Sequence, residues 1–277
     1  MKKHDGDVNK FYTKERFDAY YKWSKQDINR EFDTVLWDHI NKSELDAIFR
    51  LLNDFGKKDY FALEAGCGSG RVLLGLKDFF ADVIGCDFSL GLLKKLQNQN
   101  DKFKLLQADV ENLPFKKGSF DLILSVRVIQ HLRNKEQKKA ISEMVGLLKK
   151  GGKLILMTYS ARTLLGAYKK INMSGLYKIW PRWPLKNWNW VVDNYNTPAQ
   201  LKKMFEDSGL HVTKVKGAVF GDPEILKALK ISHFLEKYFN VPFKGYLNIC
   251  RKMDNLINAV WPFRNLLGRI LICGEKK

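Results

Sequence analysis

One stretch constrains the chain more than any other. A short apolar run, Tyr60 to Ala65, ends in Gly66-Cys67-Gly68-Ser69-Gly70, and a helical pattern from Arg71 to Phe80 comes directly after it. A strand, a glycine loop and a helix in that order let backbone approach a ligand closely and offer it the unpaired N–H groups of a helix start. Taken alone, such glycines also suit a simple tight turn. The alternation continues along the chain: strand-like runs at Ala81–Cys86, Phe103–Gln107, Phe120–Val126 and Lys153–Tyr159 are interleaved with helical patterns near 90–98 and 135–148, the latter closed by Gly151 and Gly152. After these, Asn196 or Thr197 caps a helix through Ser208, Gly209 stops it, and Leu210–Phe220 and Ile270–Cys273 read as further strands. Strands alternating with helices at this spacing predict an α/β fold with a parallel sheet covered on both faces.

The acids around the glycines narrow the ligand. The spacing is GxGxG rather than the GxGxxG of dinucleotide folds, and Glu64 precedes it, where a pyrophosphate would be repelled and a cationic group welcomed. Asp87 falls at the tip of the second strand, where a carboxylate can accept from two ribose hydroxyls. Asp109 falls just beyond the third, placed to receive an exocyclic adenine amine. Singly, each Asp also suits a turn or a helix cap. Their recurrence at three successive strand ends favours the ligand.

The runs Leu63-Glu64-Ala65-Gly66-Cys67-Gly68-Ser69-Gly70-Arg71, Val83-Ile84-Gly85-Cys86-Asp87-Phe88-Ser89, Leu105 to Leu132 and Leu147 to Leu156 resemble the class I S-adenosylmethionine-dependent methyltransferases, within them the small-molecule type 11 group. The resemblance is strong over residues 40–160 and elsewhere concerns only the order of elements. It implies a Rossmann-like, doubly wound, seven-stranded, mostly parallel sheet with helical cap insertions, and S-adenosylmethionine as cofactor. It assigns Glu64, Gly66, Cys67, Gly68 and Gly70 to the methionine end and Asp87 to the ribose, with Phe88 beside the adenine. Asp109 and Val110 take the adenine edge, and Ser125 lines the methionine arm. No metal is implied. Methyl transfer from a sulfonium is an in-line displacement, for which a protein supplies mainly alignment. Where the acceptor is a hydroxyl or an acidic carbon a base is needed, and His131 is the candidate, against a plain structural role at a helix start. Arg127 either holds an anionic substrate or pairs with a nearby acid. Relatives that methylate base amines carry an Asn-Pro-Pro-Tyr-type motif where this chain has Ser125-Val126-Arg127-Val128, and those attacking cytosine carbon use a Pro-Cys pair that is absent here.

Composition bounds the acceptor side. Of the net charge of +18, residues 1–56 contribute −1, 57–159 +7 and 160–277 +12. All seven tryptophans lie outside 57–159, in the expected flanks. The expected organisation is an N-terminal helical cap (1–56), a cofactor-binding core (57–159), a Trp-rich insertion (160–196), a core helix and strand (197–220), an amphipathic insertion (221–266) and a final strand (267–277). Trp180, Trp183, Trp188 and Trp190 form a cap core, line an acceptor pocket or rest at a membrane interface. Leu247, Cys250, Met253, Ile257 and Val260 share one helical face, which suits the same three uses.

No apolar run is long enough to span a bilayer, and the Lys2-Lys3 start lacks the apolar segment of a signal peptide. The four cysteines show no CxxC or Cys/His ligand spacing, so a reducing cytoplasm without disulfides or structural zinc is expected, with peripheral membrane contact left open. The leading expectation is methyl transfer to a small-molecule or lipid-like acceptor, anionic or amphiphilic. RNA, tRNA included, is the alternative acceptor, disfavoured by scattered lysines and the lack of an RNA-binding module. A nicotinamide-dependent oxidoreductase and a non-catalytic cofactor-binding module are the alternatives from other classes.

Overall fold

The structure is a computed structural model and describes residues 31–53, 55, 59–99, 103–162, 194–218 and 268–277, with side chains in the first helix from His39 onward. In chain order its elements are α1 (Glu31–Asn53), β1 (Phe61–Ala65), α2 (Leu73–Leu76), β2 (Asp82–Asp87), α3 (Leu90–Gln99), β3 (Lys104–Gln107) and β4 (Phe120–Val126). A 3-10 turn (Ile129–His131), α4 (Asn134–Leu147), β5 (Leu148–Tyr159), α5 (Pro198–Asp207), β6 (Leu210–Ala218) and β7 (Arg269–Lys276) complete them.

The strands form one seven-stranded sheet in the order β3-β2-β1-β4-β5-β7-β6. β7 is antiparallel to both neighbours, and the remaining pairs are parallel. This is the doubly wound α/β sheet that the alternating pattern requires. Parallel strands are buried on both faces, so they read as continuous apolar runs. β1 and β4 are mainly apolar, interrupted by Glu64, Asp121 and Ser125, and alternation then sorts each residue to a side. Ala62, Leu122 and Leu124 face a core with Ile48, Leu51, Leu73 and Leu96 from α1, α2 and α3, whereas Leu63 and Ile123 face Ile141, Met144, Leu201 and Phe205 from α4 and α5.

Three local differences from the sequence pattern have physical causes. The helix expected over 71–80 narrows to α2, with turns on either side. Gly75 occupies it because a Cβ there would lie 2.2 Å from Phe49 Cζ of α1. Gly151 and Gly152 do not close α4, which ends at Leu147. They lie inside β5, where Gly151 has φ +74° and a Cβ on Gly152 would meet Lys149 O at 2.9 Å, beside a register shift against β4. Residues 39–53 of α1, expected in a cap, pack into the core, with Ile40, Ile48, Leu51 and Leu52 at most 1% exposed. Trp180, Trp183, Trp188, Trp190 and the 246–261 face lie outside the described residues.

The two longest connections of the sheet leave from one edge. Tyr159 ends β5 there, and Ala218 of β6 pairs with Arg269 of β7 at the same edge. Thr197 returns the chain into α5 through a capping box, its side chain accepting from Gln200 N–H while the Thr197 N–H donates to Gln200 Oε1 at 2.8 Å. Thr197→Ala is expected to lower stability by about 1 kcal/mol, read as a shift in the urea midpoint with an unchanged slope.

Candidate functional site

The carboxyl ends of β1, β2 and β4 meet at the middle of the sheet, where β1 leads outward to β2 and β4 lies on its other side. Ligands of open α/β sheets sit in the crevice at such a switch point. The loop after β1 is a left-handed chain of glycines: Gly66, Gly68 and Gly70 have φ +86°, +53° and +83°. A Cβ at Gly66 would lie 2.2 Å from Val128 Cγ2 and one at Gly70 2.5 Å from Leu96 Cδ1, so these two glycines serve packing. At Gly68 the nearest side-chain atom is Leu92 Cδ1 at 3.7 Å, so its missing side chain leaves space on the site. Gly66 and Cys67 both donate their N–H to Cys86 O at 2.8 Å, which pins the loop to the end of β2.

Asp87 secures the rest of the loop. Its two oxygens accept from Gly68 N–H and Ser89 N–H, each at 2.8 Å. Burial raises its pKa, with those two hydrogen bonds opposing the rise. A carboxylate has about four acceptor positions, so two remain for hydroxyls. Phe88 beside it is 43% exposed, an aromatic face available to a flat ring. Asp109 uses one oxygen to accept from Glu111 N–H at 2.9 Å in a turn, and Val110 behind it is buried. Cys67 is buried beneath the loop, and burial pushes its thiol far up. Ser125 is buried with its hydroxyl donating to Ala65 O at 2.9 Å, bracing β4 against β1.

Glu64 is the exceptional member. It is 2% exposed, its Oε2 has no hydrogen-bond partner, and burial pushes its pKa up to about 8 against the opposing pull of Arg71. A buried acceptor left unfilled costs about 1 to 3 kcal/mol, so the site is arranged for a donor that arrives from outside.

Next to it stands a cluster that sequence reasoning missed. Glu44 of α1 is fully buried, accepts a hydrogen bond from Arg269 Nε at 3.0 Å through Oε1, and forms ion pairs through Oε2 with Arg71 Nη2 at 2.7 Å and Arg127 Nη1 at 3.9 Å. Burial alone would raise the Glu44 pKa, and Arg127, Arg71 and Arg269 overcome it and hold the carboxyl low. Arg127 is the one non-glycine residue with positive φ among the described residues, at +60°, a conformation that costs about 1 to 2 kcal/mol. Its N–H donates to Met157 O at 2.8 Å. Arg269 lies 3.7 Å over the Tyr159 ring, which stacks on Tyr195 at 5.2 Å.

His131 closes the 3-10 turn after β4. Its Nε2 is 3.2 Å from Gln130 Nε2, while Gln130 Oε1 accepts from Thr158 Oγ1 at 3.1 Å. Thr158, Gln130 and His131 thus form one chain of hydrogen bonds. Among the described residues no group of three or more His, Cys, Asp or Glu gathers to hold a metal. No described helix is long and apolar enough to cross a membrane. A cavity of about 230 Å³ bounded by Leu51, Tyr60, Lys153 and Thr213 lies at the opposite edge of the sheet, away from the glycine loop.

A glycine loop between a buried acid and a second acid thus lies on adjacent tips of a doubly wound, Rossmann-like sheet. Residues 63–156 match the family described as the methyltransferase domain. An uncharacterized protein of Methanocaldococcus jannaschii is 34% identical over 153 residues, which are 55% of this chain and 64% of that one. A tRNA (carboxymethyluridine(34)-5-O)-methyltransferase of Arabidopsis thaliana is 38% identical over 101 residues, covering 36% of this chain and 24% of that protein. A demethylmenaquinone methyltransferase of Paenarthrobacter aurescens is 35% identical over 99 residues, covering 35% and 38%. The chain thus spans less than two thirds of the length of each. In fold it is similar to the magnesium protoporphyrin IX methyltransferase of Synechocystis with bound S-adenosylhomocysteine, with a TM-score of 0.62, 15% identity and 98% of both chains covered. It is also similar to a S-adenosylmethionine-dependent methyltransferase of Thermotoga maritima, with a TM-score of 0.60, 19% identity, and 98% and 99% covered.

Glu64 yields a test of its own. In the unfolded chain it ionises near 4.5 and in the ligand-free fold near 8, so between those values the fold keeps a proton that the unfolded chain has lost. Its contribution to stability therefore falls as pH rises from about 4.5 to about 8. Glu64→Gln is expected to melt higher than the parent at pH 8, with the difference shrinking towards pH 5 in ligand-free scans.

Proposed function

We propose that this chain is an S-adenosylmethionine-dependent methyltransferase acting on a small-molecule or lipid-like acceptor. The observation that carries this is the buried, unfilled Oε2 of Glu64, set beside a glycine loop that Asp87 holds open at Gly68. The residues fit the cofactor. Glu64 meets the ammonium of the methionine end, the space at Gly68 admits the chain of the ligand, Asp87 takes the ribose hydroxyls, and Phe88 and Asp109 flank the adenine. Bound there, the sulfonium supplies a methyl group with a good leaving group already in place. The protein's part is orientation and exclusion of water.

Arg127 and His131 follow β4, beside the edge where Tyr159, Ala218 and Arg269 lie, and both are placed here on the acceptor side. The Gln130 amide occupies His131 Nε2 through a hydrogen bond, so the ring is placed to orient the acceptor. A nucleophile whose lone pair is already exposed, such as a carboxylate or a neutral amine, suits that arrangement without a base. Segments 160–196 and 221–266, together with the N-terminal residues, are proposed to close over the acceptor, and peripheral contact with a membrane is compatible with their charge.

A second acceptor class has one specific support: the net charge of +18, together with a relative named for tRNA methylation. Incubation of cell extract with the protein and a donor bearing a deuterated methyl group separates the two. A labelled metabolite or lipid supports the first acceptor class; a labelled nucleoside, with tRNA binding that falls steeply with salt, supports the second.

The cofactor reading is tested without knowing the acceptor. Asp87→Ala is expected to weaken S-adenosylhomocysteine binding by about 1 to 3 kcal/mol, measured by calorimetry on protein whose folding is checked by its melt. Unchanged affinity would remove the ribose assignment.

A further inference from the structure

We propose that the amino edge of the sheet carries a docking surface for the phosphate backbone of RNA, built from Lys116, Lys117 and Lys150 with Lys149 and Lys276 beside them. The surface lies away from the glycine loop and is independent of the donor reading above. Its lysines come from three segments far apart in the sequence, and the fold gathers them. Gly118 N–H donates to Gly146 O at 3.1 Å and Ser119 N–H to Leu147 O at 2.8 Å, which sets the turn after Lys116 and Lys117 against the end of α4. Lys149 and Lys150 follow that end directly, as β5 begins. Lys276, at the end of β7, reaches the same place, its Nζ donating to Val145 O and Leu148 O at 2.8 Å each.

Carbonyls at a helix C-terminus attract cations, which accounts for Lys276. The others need a different account. Lys116, Lys117, Lys149 and Lys150 are exposed, and of these Lys149 meets Asp121 at 2.8 Å. Asp121 is already engaged, since its Oδ2 also accepts from Phe61 N–H at 3.0 Å, and Glu275 at the same edge pairs with Lys153 at 3.2 Å. Elsewhere on the surface Lys104, Lys139, Lys202 and Lys203 each have an acid at 3.7 Å or less. Among the described residues Lys116, Lys117 and Lys150 have none. Unmatched like charges repel one another in the folded chain, so a concentration of them suits a surface that an anion completes.

Two features favour RNA over an anionic membrane. The exposed large apolar side chains of the described residues, Leu74, Phe88, Leu90 and Leu106, all lie outside these segments, whereas a membrane-docking face sets apolar side chains beside its basic ones. The carboxyl ends of the strands are also a full strand away: β4 has 7 residues, a length of about 20 Å. A flat bilayer on the amino edge would leave the candidate site facing away from it, while a folded RNA is long enough to touch both edges. Lysines of this kind hold phosphates without reading the bases.

The test is the salt dependence of binding to fluorescein-labelled total tRNA, followed by anisotropy on the full chain. Lys116→Gln, Lys117→Gln and Lys150→Gln together should lower the slope of log K against log salt by about 2 to 3, and the affinity at low salt by about 10- to 100-fold. Lys94→Gln, Lys135→Gln and Lys138→Gln together remove the same charge from other exposed positions and should keep most of both. Both triple variants should bind S-adenosylhomocysteine as the unmodified chain does, by calorimetry. Equal loss in the two triples would reduce the effect to net charge and overturn the proposal. So would tRNA binding that is absent in the unmodified chain or indifferent to salt. Tighter binding through the same three lysines to vesicles of phosphatidylcholine and phosphatidylserine than to tRNA at equal salt would assign the surface to a membrane instead. Should the first triple fail to fold in a melting scan, Lys150→Glu compared with Lys138→Glu decides in the same assay. Failure of the unmodified chain to bind S-adenosylhomocysteine would count against the donor reading alone.

Discussion

The carboxylate of Glu44 holds together parts of the chain that no local interaction would bring near one another. It lies 225 positions before Arg269 and receives that residue together with Arg71 and Arg127. Through it α1, the start of the helix after the glycine loop, the turn after β4 and the first residue of β7 share one buried centre. A carboxylate taken out of water is costly unless its partners are close and well directed. Arg269 Nε hydrogen-bonds one oxygen, and Arg71 and Arg127 balance the charge at the other, which accepts no hydrogen bond. Loss of Glu44 would leave buried positive charge next to the ligand loop, so the geometry of the site and the docking of α1 depend on the same pair of oxygens.

Much of the architecture was legible because it is written in local periodicity. β4 is a mainly apolar run bounded by turns, and its ends, Phe120 and Val126, match the sequence pattern. Glu64, Asp87 and the loop glycines were legible for a similar reason, since each sits at a fixed offset from a strand end. Where the pattern misled, close packing had intervened: Phe49 of α1 sets the glycine within α2, and the backbone of Lys149, with Phe120 O of β4 behind it, sets Gly152 within β5. Glu44 and Arg269 left no trace of their role. On a helical wheel Glu44 reads as one more solvated acid, and Arg269 as the polar end of a short strand. Ser125 was legible as a position but not as a function, because its hydroxyl is used between strands.

The site combines two kinds of readiness. Asp87 and the loop are already hydrogen-bonded into shape, which keeps the reorganisation on binding small. Glu64 Oε2 and Arg71 Nη1 are each buried without a hydrogen-bond partner, one an acceptor and the other a donor. Arg127, strained at φ +60°, marks a border of the candidate site at the end of β4; such outliers persist where surrounding structure over-determines them. Thr158, Gln130 and His131 continue that border as a chain of hydrogen bonds from β5 to the turn after β4.

The antiparallel pairing of Ala218 with Arg269 has a consequence for how such a protein diversifies. Because the two ends of the intervening segment are fixed as ladder neighbours, its length and composition can change at little entropic expense and without shifting the register of the sheet. Tyr159 and Asn196, joined through Ser160, set the same condition for the other long connection. Whole segments can therefore be exchanged at this rim while the glycine loop and the ends of β1 and β2 keep their geometry.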